Sequence, residues 1–332
     1  MELWLDALAI VILAILIDRF IGDVPNAIHP LRWMGNILDA IDRHISDRSS
    51  RFTSFLGFLS YLFVFFLFGG IAILIIAAVH HYVSQYNELW GEIAWIVVTA
   101  FILKIQFAIF SFRKHCDPIC EDLDAGRVED AAAKVQMIVS RNTKGMDAEH
   151  IASSCCETVS ENLVDSVVSP TFYFGFLGIV GSIMFRCSNL MDAMWGYLNE
   201  KYGRLGYFPA KFDDVLGWLT SRVSPYFVAL AAMILRMDWK AAVPAAKEEH
   251  TKTPSPNSGW PMTAVSAALG ISMEKKGVYV MGKGPMPTTR DVQRCLRLVE
   301  LTSILFILII CLPLYAFIGI QVQLFLEGLF PF

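Results

Sequence analysis

The run CETVSENLVD, residues 156–165, carries three carboxylates at positions i, i+4 and i+8, namely Glu157, Glu161 and Asp165. On an α-helix this spacing places all three side chains along one face. Like charges at this spacing repel each other, so the pattern predicts that a cation faces the stripe. The residues that follow, 167–185, are mostly apolar, which places the stripe beside a hydrophobic segment.

The composition of the chain is that of an integral membrane protein. Of its 332 residues 55% are hydrophobic and only 17% are charged, and the mean hydropathy is +0.51. A soluble domain has about a quarter of its residues charged. The net charge of −4 gives no basic bias toward nucleic acid as a partner. The seven cysteines match no zinc or disulfide spacing, and reduced thiols are the interpretation we favour.

Four apolar stretches are long enough to cross a lipid bilayer as helices. These predicted transmembrane helices cover residues 3–22, 54–79, 93–112 and 301–326. In the last of them Pro313 predicts a kink. Two shorter apolar segments, 167–185 and 224–235, are predicted to be re-entrant or membrane-embedded helices. The predicted fold is therefore an all-α polytopic membrane protein, a single domain over residues 1–332 with cytoplasmic helical segments.

The distribution of basic residues predicts the orientation of the chain. The loop at 80–92 has neither Lys nor Arg. Residues 23–53 contain several arginines, and the segment from 113 onward contains several lysines and arginines. The positive-inside rule places the latter two in the cytoplasm. A full crossing by 167–185 would put the basic residues after it outside, which favours an embedded helix over the alternative, a hairpin of two more spans. We expect a multi-pass protein of the plasma membrane with its polar site facing the cytoplasm.

Polar residues on both sides of the apolar segment are of the types that hold a metal–nucleotide. Mg²⁺ is bound by one or two carboxylates together with substrate phosphates. The predicted metal ligands are Glu157, Glu161, Asp192, Asp213 and Asp214. Arg204 or Arg222 is expected to clamp a phosphate. The Asp-Asp pair alone is a weak signal, because charges at a helix N-terminus give the same pattern.

The polar blocks, in their order along the chain, resemble the membrane proteins of cobalamin biosynthesis called CobD or CbiB, the adenosylcobinamide-phosphate synthase family. The resemblance covers about residues 16 to 285, with catalytic core segments at about 140–222 and 250–285. The matching residues are Asp18-x-x-x-Gly22-Asp23, His29-Pro30, Gly35, Ser140-Arg141-Asn142-Thr143, Glu157 through Asp165, Pro170, Asn189, Asp192, Gly196-Tyr197, Asp213-Asp214, Arg222 and Ser255-Pro256-Asn257-Ser258-Gly259. Asn142 and Ser258 depart from the Asp and Ala expected at those positions.

The resemblance implies a ligase that joins a propionate carboxyl of adenosylcobyric acid to (R)-1-aminopropan-2-ol or its O-phosphate through an amide bond. ATP and Mg²⁺ are implied for activating the carboxyl as an acyl phosphate. The implied catalytic residues are Glu157, Glu161, Asp165 and His29. The implied substrate or phosphate contacts are Arg32, Arg141, Asn162, Asn189, Tyr197, Arg204, Arg222 and Asn257.

Two functions from other classes fit the same polar residues. Carboxylates between broken apolar helices also suit a transport or signalling protein of the same superfamily. A non-catalytic corrinoid-binding scaffold that holds other corrinoid-assembly enzymes at the bilayer is the third alternative. The weight of polar residues outside the spans favours an enzyme, because transporters keep their ionisable groups within the spans.

Overall fold

The computed structural model describes residues 3–45 and 50–330 of the chain. The protein is 77% helix, which confirms the all-α class. The α-helices are α1 (Leu3–Phe20), α2 (Pro30–His44), α3 (Arg51–Ser84), α4 (Glu88–Gln106), α5 (Ser111–Asp124), α6 (Val128–Val135), α7 (Ala148–Leu163), α8 (Ser169–Leu177), α9 (Ile179–Trp195), α10 (Tyr207–Ile234), α11 (Trp239–Glu249), α12 (Gly259–Leu269), α13 (Thr289–Phe306), α14 (Leu312–Leu314) and α15 (Ile320–Glu327).

Shorter elements connect these helices. Two 3₁₀ turns cover Asn26–Ile28 and His250–Lys252, and three π-helical turns cover Val164–Val168, Ile307–Cys311 and Tyr315–Gly319. An antiparallel hairpin of β1 (Met273–Lys275) and β2 (Tyr279–Met281) pairs Met273 with Met281 and Lys275 with Tyr279.

Two helical stretches are long and apolar enough to cross a membrane, and a bent pair makes a third if it is one span. The first is α3, and the second runs without interruption over Thr289–Glu327; together they contain the predicted spans 54–79 and 301–326. The third is α4 followed by α5, which bend by 44° at the break between them. The prediction of four clear spans is therefore wrong, because two or three are found in the described residues.

The predicted first span, 3–22, forms helix α1, but this helix is not among the apolar spans. Its 18 residues include three charged side chains, Asp6, Asp18 and Arg19. The predicted third span, 93–112, is interrupted because α4 ends at Gln106 and α5 begins at Ser111. The charges in α1 and the break between α4 and α5 are thus the physical reasons why fewer spans are found than predicted.

The two shorter apolar segments are also helical. Residues 167–185 contain α8 and the start of α9, which are separated at Gly178. Gly178 has φ +62°, and a Cβ at this position would lie 2.8 Å from Cβ of Gln323, so a residue with a side chain is strained there. Of the segment 224–235, residues 224–234 form the C-terminal part of α10, which ends at Ile234. Their embedding in a membrane stays a prediction.

The chain forms two compact units. Unit 1 comprises Met1–Phe107, Ser169–Leu216 and Ile307–Phe332, and unit 2 comprises Ala108–Val168 and Gly217–Phe306.

In unit 1, α3 packs against α4 and α9, and α1 packs against α4. Lys104, in the last turn of α4, is buried, and its Nζ lies 3.0 Å from Asp18 and 2.6 Å from Asp23. A buried ammonium is costly unless paired, so the two carboxylates explain how α4 tolerates it.

In unit 2, α7 packs against α13, α12 and strand β1. The sequence predicts Asp147 as the N-cap of the helix that carries Glu157, because an Asp before an apolar-periodic segment is a helix start signal. The structure confirms this, since Oδ1 of Asp147 accepts a hydrogen bond of 2.9 Å from the His150 N–H.

The sequence also predicts a helix-turn-helix connector from Asp117, with the turn at 124–126 and a second helix over Val128 to Val139. The structure confirms the turn, with Gly126 at φ +75° between α5 and α6. The second helix ends at Val135, earlier than the predicted Val139.

Candidate active site

Glu157 lies at the centre of a buried polar cluster in unit 2, with its side chain only 2% exposed. Arg141 donates two hydrogen bonds to the carboxylate, from Nη2 to Oε2 at 2.6 Å and from Nη1 to Oε1 at 3.3 Å. The hydroxyl of Ser153 donates to Oε1 at 3.0 Å and that of Tyr279 to Oε2 at 2.8 Å. Four donors therefore satisfy both carboxylate oxygens, and the cation that faces Glu157 is the guanidinium of Arg141.

The loop that carries Arg141 is held by the side chain of Gln136. This amide donates 2.9 Å and 3.1 Å hydrogen bonds to the carbonyls of Arg141 and Val139, and its oxygen accepts from the Thr143 N–H at 3.1 Å. The buried Thr143 hydroxyl also donates to the carbonyl of Ala132 at 2.7 Å. Because α6 ends at Val135, the side chain of Gln136 bonds to the loop that follows and holds Arg141 beside α7.

The hairpin brings Tyr279 to the same carboxylate. Gly277, at φ +73°, makes the turn between the strands. The Glu274 N–H donates to Oγ of Ser153 at 2.8 Å, which fixes β1 against α7. Because Ser153 also donates to Glu157, the hairpin and the ion pair are joined through one hydroxyl.

Glu161, one turn beyond Glu157 on α7, is exposed. Within residues 3–45 and 50–330 no group donates a hydrogen bond to its carboxylate. The surrounding protein hinders hydration of the charged form and raises the pKa of Glu161, and the nearby charge of Glu157 raises it further. Lys275 and Arg141 oppose this rise in the pKa. An accessible carboxylate with a raised pKa is a stronger base than an ordinary one, as proton abstraction near neutral pH requires.

The remaining members of the predicted stripe lie at the end of α7. Asp165 falls in the π-helical turn Val164–Val168, beyond the α-helical register of Glu157 and Glu161. Asn162 donates to the Thr158 carbonyl at 2.9 Å and accepts from the Ser166 hydroxyl at 2.9 Å, so its amide is bonded within its own helical segment. The helix thus carries one buried, paired carboxylate and one exposed carboxylate rather than three equivalent ones.

Arg222 and Asn257 form a second polar group in unit 2. The guanidinium of Arg222 lies 4.5 Å from the ring centre of Trp218 and 5.1 Å from that of Trp260, within the range of cation–π contacts. Its Nη1 donates to the Trp218 carbonyl at 2.8 Å. Asn257 is buried and its oxygen accepts from the Ser221 hydroxyl at 3.3 Å. These contacts fix Arg222 in place and leave part of its surface exposed.

The other predicted site residues belong to unit 1: His29, Arg32, Asn189, Asp192, Tyr197, Arg204, Asp213 and Asp214. The side chains of Arg32, Tyr197 and Arg204 are exposed. The amide oxygen of Asn189 accepts a hydrogen bond from Arg186 at 3.4 Å.

His29 caps helix α2, because its Nδ1 accepts a hydrogen bond of 3.2 Å from the Leu31 N–H. Burial lowers the pKa of His29, and the positive charge of Arg186 lowers it further. A histidine with a lowered pKa is neutral at physiological pH, which is the form that accepts a proton.

Asp192 and Asp214 are near enough to influence each other. Burial raises the pKa of Asp192, the charge of Asp214 adds to the rise, and Lys211 opposes it. Lys211 also pairs with Asp214 at 3.2 Å.

Among the described residues no group of three or more His, Cys, Asp or Glu side chains is arranged to hold a metal ion. Glu157 does not fit the predicted role of ligand in this arrangement, because four donors occupy its oxygens. Asp192 and Asp214 have the donor chemistry of a Mg²⁺ site that uses two carboxylates with substrate phosphates.

Ser153 and Tyr279 are partners of Glu157 that were not predicted from the sequence. Ser153 precedes Glu157 by four residues, so the i, i+4 rule was a signal that would have found it. The contact of Tyr279 depends on the placement of the hairpin 122 residues farther along. No local pattern indicates such a contact.

Comparison with known proteins places this chain among a set of related sequences. A family model described as "CobD/Cbib protein" matches residues 11–299. A "Probable cobalamin biosynthesis protein CobD" from Methanothermobacter thermautotrophicus is 32% identical over 312 residues, which cover 92% of this chain and 96% of the relative. Proteins of the same description from Methanocaldococcus jannaschii and Methanothrix thermoacetophila are 31% and 33% identical, covering 90% and 92% of this chain and 96% of each relative. No solved structure matches the chain.

Proposed function

Because the chain belongs to the CobD/CbiB family, we propose that it is a membrane enzyme of cobalamin biosynthesis that forms an amide bond. The proposed substrates are adenosylcobyric acid, which supplies a propionate carboxyl, and (R)-1-aminopropan-2-ol or its O-phosphate, which supplies the amine. The relatives' descriptions support the biosynthetic role, and the polar cluster of unit 2 supports the reaction class.

The reaction needs an activated carboxyl and a neutral amine. A carboxylate is a poor acyl donor, so the proposal includes transfer of the γ-phosphoryl group of ATP to a carboxylate oxygen, which yields an acyl phosphate and ADP. The amine nitrogen then attacks the carbonyl carbon, and the C–O bond to phosphate breaks. The nitrogen gives up one proton in this step, and inorganic phosphate leaves.

Glu161 is the proposed acceptor of that proton. The observation that carries this assignment is the exposed Glu161 carboxylate with a raised pKa, one helical turn from the buried Arg141–Glu157 pair. The ion pair, Ser153 and Tyr279 fix α7 and the hairpin, so they hold Glu161 in position. His29 stays a prediction as an alternative base, and Asp165 stays a prediction as a further catalytic carboxylate.

Mg²⁺ in this proposal supplies charge neutralisation of the phosphates during transfer. Asp192 and Asp214 of unit 1 stay the predicted ligands for it, since their carboxylates suit a hard cation. Arg222 remains the proposed phosphate contact of unit 2, because Arg141 is engaged by Glu157. We also propose that the site faces the cytoplasm, where ATP is available.

The test is amide formation by purified full-length protein given adenosylcobyric acid, aminopropanol O-phosphate and Mg·ATP. Glu161→Gln is expected to lower the rate by about 10²–10⁴-fold, the range of general base catalysis. Glu149→Gln is the matched control, because Glu149 is an exposed carboxylate on the same helix. A Glu161→Gln variant as active as this control refutes the assignment, and corrinoid binding without any amide formation favours the scaffold alternative.

A further inference from the structure

A cavity of 410 Å³ in unit 2 is lined by four arginines. Arg236 lies between α10 and α11, and Arg290, Arg294 and Arg297 belong to α13. The other described residues that line the cavity are uncharged, and no carboxylate is among them. Four guanidinium groups around one cavity repel each other unless an anion separates them.

The three arginines on α13 make this repulsion worse. Their spacing of i, i+4 and i+7 places them on one face of the helix. The first turn of a helix carries a partial positive charge, so Arg290 is at the unfavourable end of α13. Arg294 is compensated by Asp291, whose Oδ1 lies 2.8 Å from its Nη1. Within the described part of the chain, Arg290, Arg297 and Arg236 have no such carboxylate partner.

Arg236 has a backbone conformation that favours glycine. Its φ is +56°, the only positive φ of a non-glycine residue in the described ranges. The Met237 N–H donates to the Ala232 carbonyl at 2.8 Å and the Arg236 N–H donates to that of Met233 at 3.2 Å, which is the Schellman pattern at a helix end. Glycine is the usual residue at this position because it has no Cβ. An arginine there is disfavoured by its backbone, which points to a use for its side chain.

The chemistry of the cavity selects its ligand. Planar guanidinium groups bind phosphate oxygens with paired hydrogen bonds, and several of them without a carboxylate suit an anion rather than a neutral group. Helix α13 continues into the apolar stretch of the candidate span Thr289–Glu327. The arginines precede its apolar part, as basic residues that meet lipid phosphates at a membrane surface do.

We propose that this arginine cavity binds an anionic phosphate group, presented by a membrane lipid or by a soluble phosphate compound. The site shares no residue with the Glu157 cluster or with the Arg222 group, and it goes beyond the proposed function. Both sources offer the same phosphate oxygens to Arg236, Arg290 and Arg297, so the experiment separates them by the probe used.

The soluble arm titrates inorganic pyrophosphate into detergent-solubilised full-length protein by calorimetry. The lipid arm reconstitutes the protein in nanodiscs of phosphatidylcholine with or without cardiolipin and counts retained cardiolipin by native mass spectrometry. The variants are Arg236→Gly, Arg290→Gln and Arg297→Gln. Arg43→Gln is the matched control, since Arg43 is an exposed arginine on α2.

Each cavity variant is expected to weaken binding of one probe by about tenfold, as loss of one charge-assisted contact does. The control is expected to stay within about twofold of the wild type. If the variants weaken binding of pyrophosphate alone, the ligand is a soluble phosphate compound. If they weaken binding of cardiolipin alone, the ligand is a lipid.

Arg236→Gly also tests the reasoning about the backbone. Glycine relieves the left-handed strain, so this variant is expected to melt no lower than the wild type while it loses the ligand. If it melts lower, Arg290→Gln and Arg297→Gln decide the outcome. The proposal is overturned if the wild type binds neither probe more tightly than these variants do.

Discussion

The buried pair of Arg141 and Glu157 makes a sharp prediction about stability. Arg141→Met removes both guanidinium hydrogen bonds and leaves the Glu157 carboxylate, 2% exposed, with only the hydroxyls of Ser153 and Tyr279. Removing one partner of a buried ion pair costs about 3–5 kcal/mol, because the other charge stays buried without compensation. The 17% exposure of the Arg141 side chain places the expected loss at the lower end, about 3 kcal/mol.

The entropy of unfolding converts this loss into a melting temperature. At about 2.1 cal/mol/K per residue, a chain of 332 residues has an unfolding entropy of about 0.7 kcal/mol/K. The Arg141→Met variant is therefore expected to melt about 4 °C below the wild type, as followed by tryptophan fluorescence in detergent. Adding Glu157→Gln to this variant removes the uncompensated buried charge and is expected to recover part of the lost melting temperature.

Arg127→Met is the matched control for this prediction. Arg127 also pairs with a carboxylate, Asp122, at 2.7 Å, but its side chain is 53% exposed. Asp122 keeps a second cation in Lys134 when Arg127 is removed. Because Arg127 itself is exposed and Lys134 still compensates Asp122, the loss is expected to be about 0–1 kcal/mol, and the control should melt within about 1 °C of the wild type. Equal shifts for the two variants would refute the argument that Glu157 depends on Arg141 as its buried cation.

Three further predictions concern α7. The surrounding protein hinders hydration of the ionised Glu161 carboxylate and raises its pKa, so ionising this carboxyl destabilises the fold. The cost is absent below the ordinary carboxyl pKa and complete above the raised pKa. Glu161→Gln is therefore expected to melt no lower than the wild type at pH 8 and at the same temperature as the wild type at pH 4. Burial alone would raise the pKa of Asp147, but the hydrogen bonds from His150 outweigh this effect and lower the pKa to about 2. The stabilisation by Asp147 is therefore present above about pH 4 and is lost as the pH falls through about 2. Asp147→Ala should lose about 1 kcal/mol of unfolding free energy at pH 7 and Asp147→Asn less, as measured by denaturant unfolding. Because all seven native cysteines are buried, a membrane-impermeant maleimide should label Glu149→Cys in inverted vesicles but not in intact cells, and labelling of intact cells would contradict a cytoplasmic site.

Local chemistry made parts of the fold predictable. Asp147 at the start of an apolar-periodic segment and Gly126 after a polar helix are signals that act within a few residues. The number of spans was not predictable in this way. Residues 3–22 have the length of a span, but Asp18 forms a buried ion pair with Lys104 of α4. Hydropathy along the chain cannot show that pairing.

The candidate site was likewise predictable only where it depends on residues close together in the chain. The i, i+4 spacing of Glu157 and Glu161 correctly places them on one helix, and it predicts a cation beside them. It does not distinguish Arg141, sixteen residues away in the chain, from a metal ion as that cation. The difference between the two carboxylates, one bonded by four donors and one exposed, depends on the loop held by Gln136 and on the hairpin.

The most direct test of the proposed reaction follows the oxygen atoms of the substrate carboxyl. Purified protein is given adenosylcobyric acid with ¹⁸O in the reacting propionate, aminopropanol O-phosphate and Mg·ATP, and the products are weighed by mass spectrometry. Activation as an acyl phosphate predicts one amide product per ADP formed and one ¹⁸O atom in each inorganic phosphate released. Amide product without ADP, or phosphate without ¹⁸O, would contradict the account.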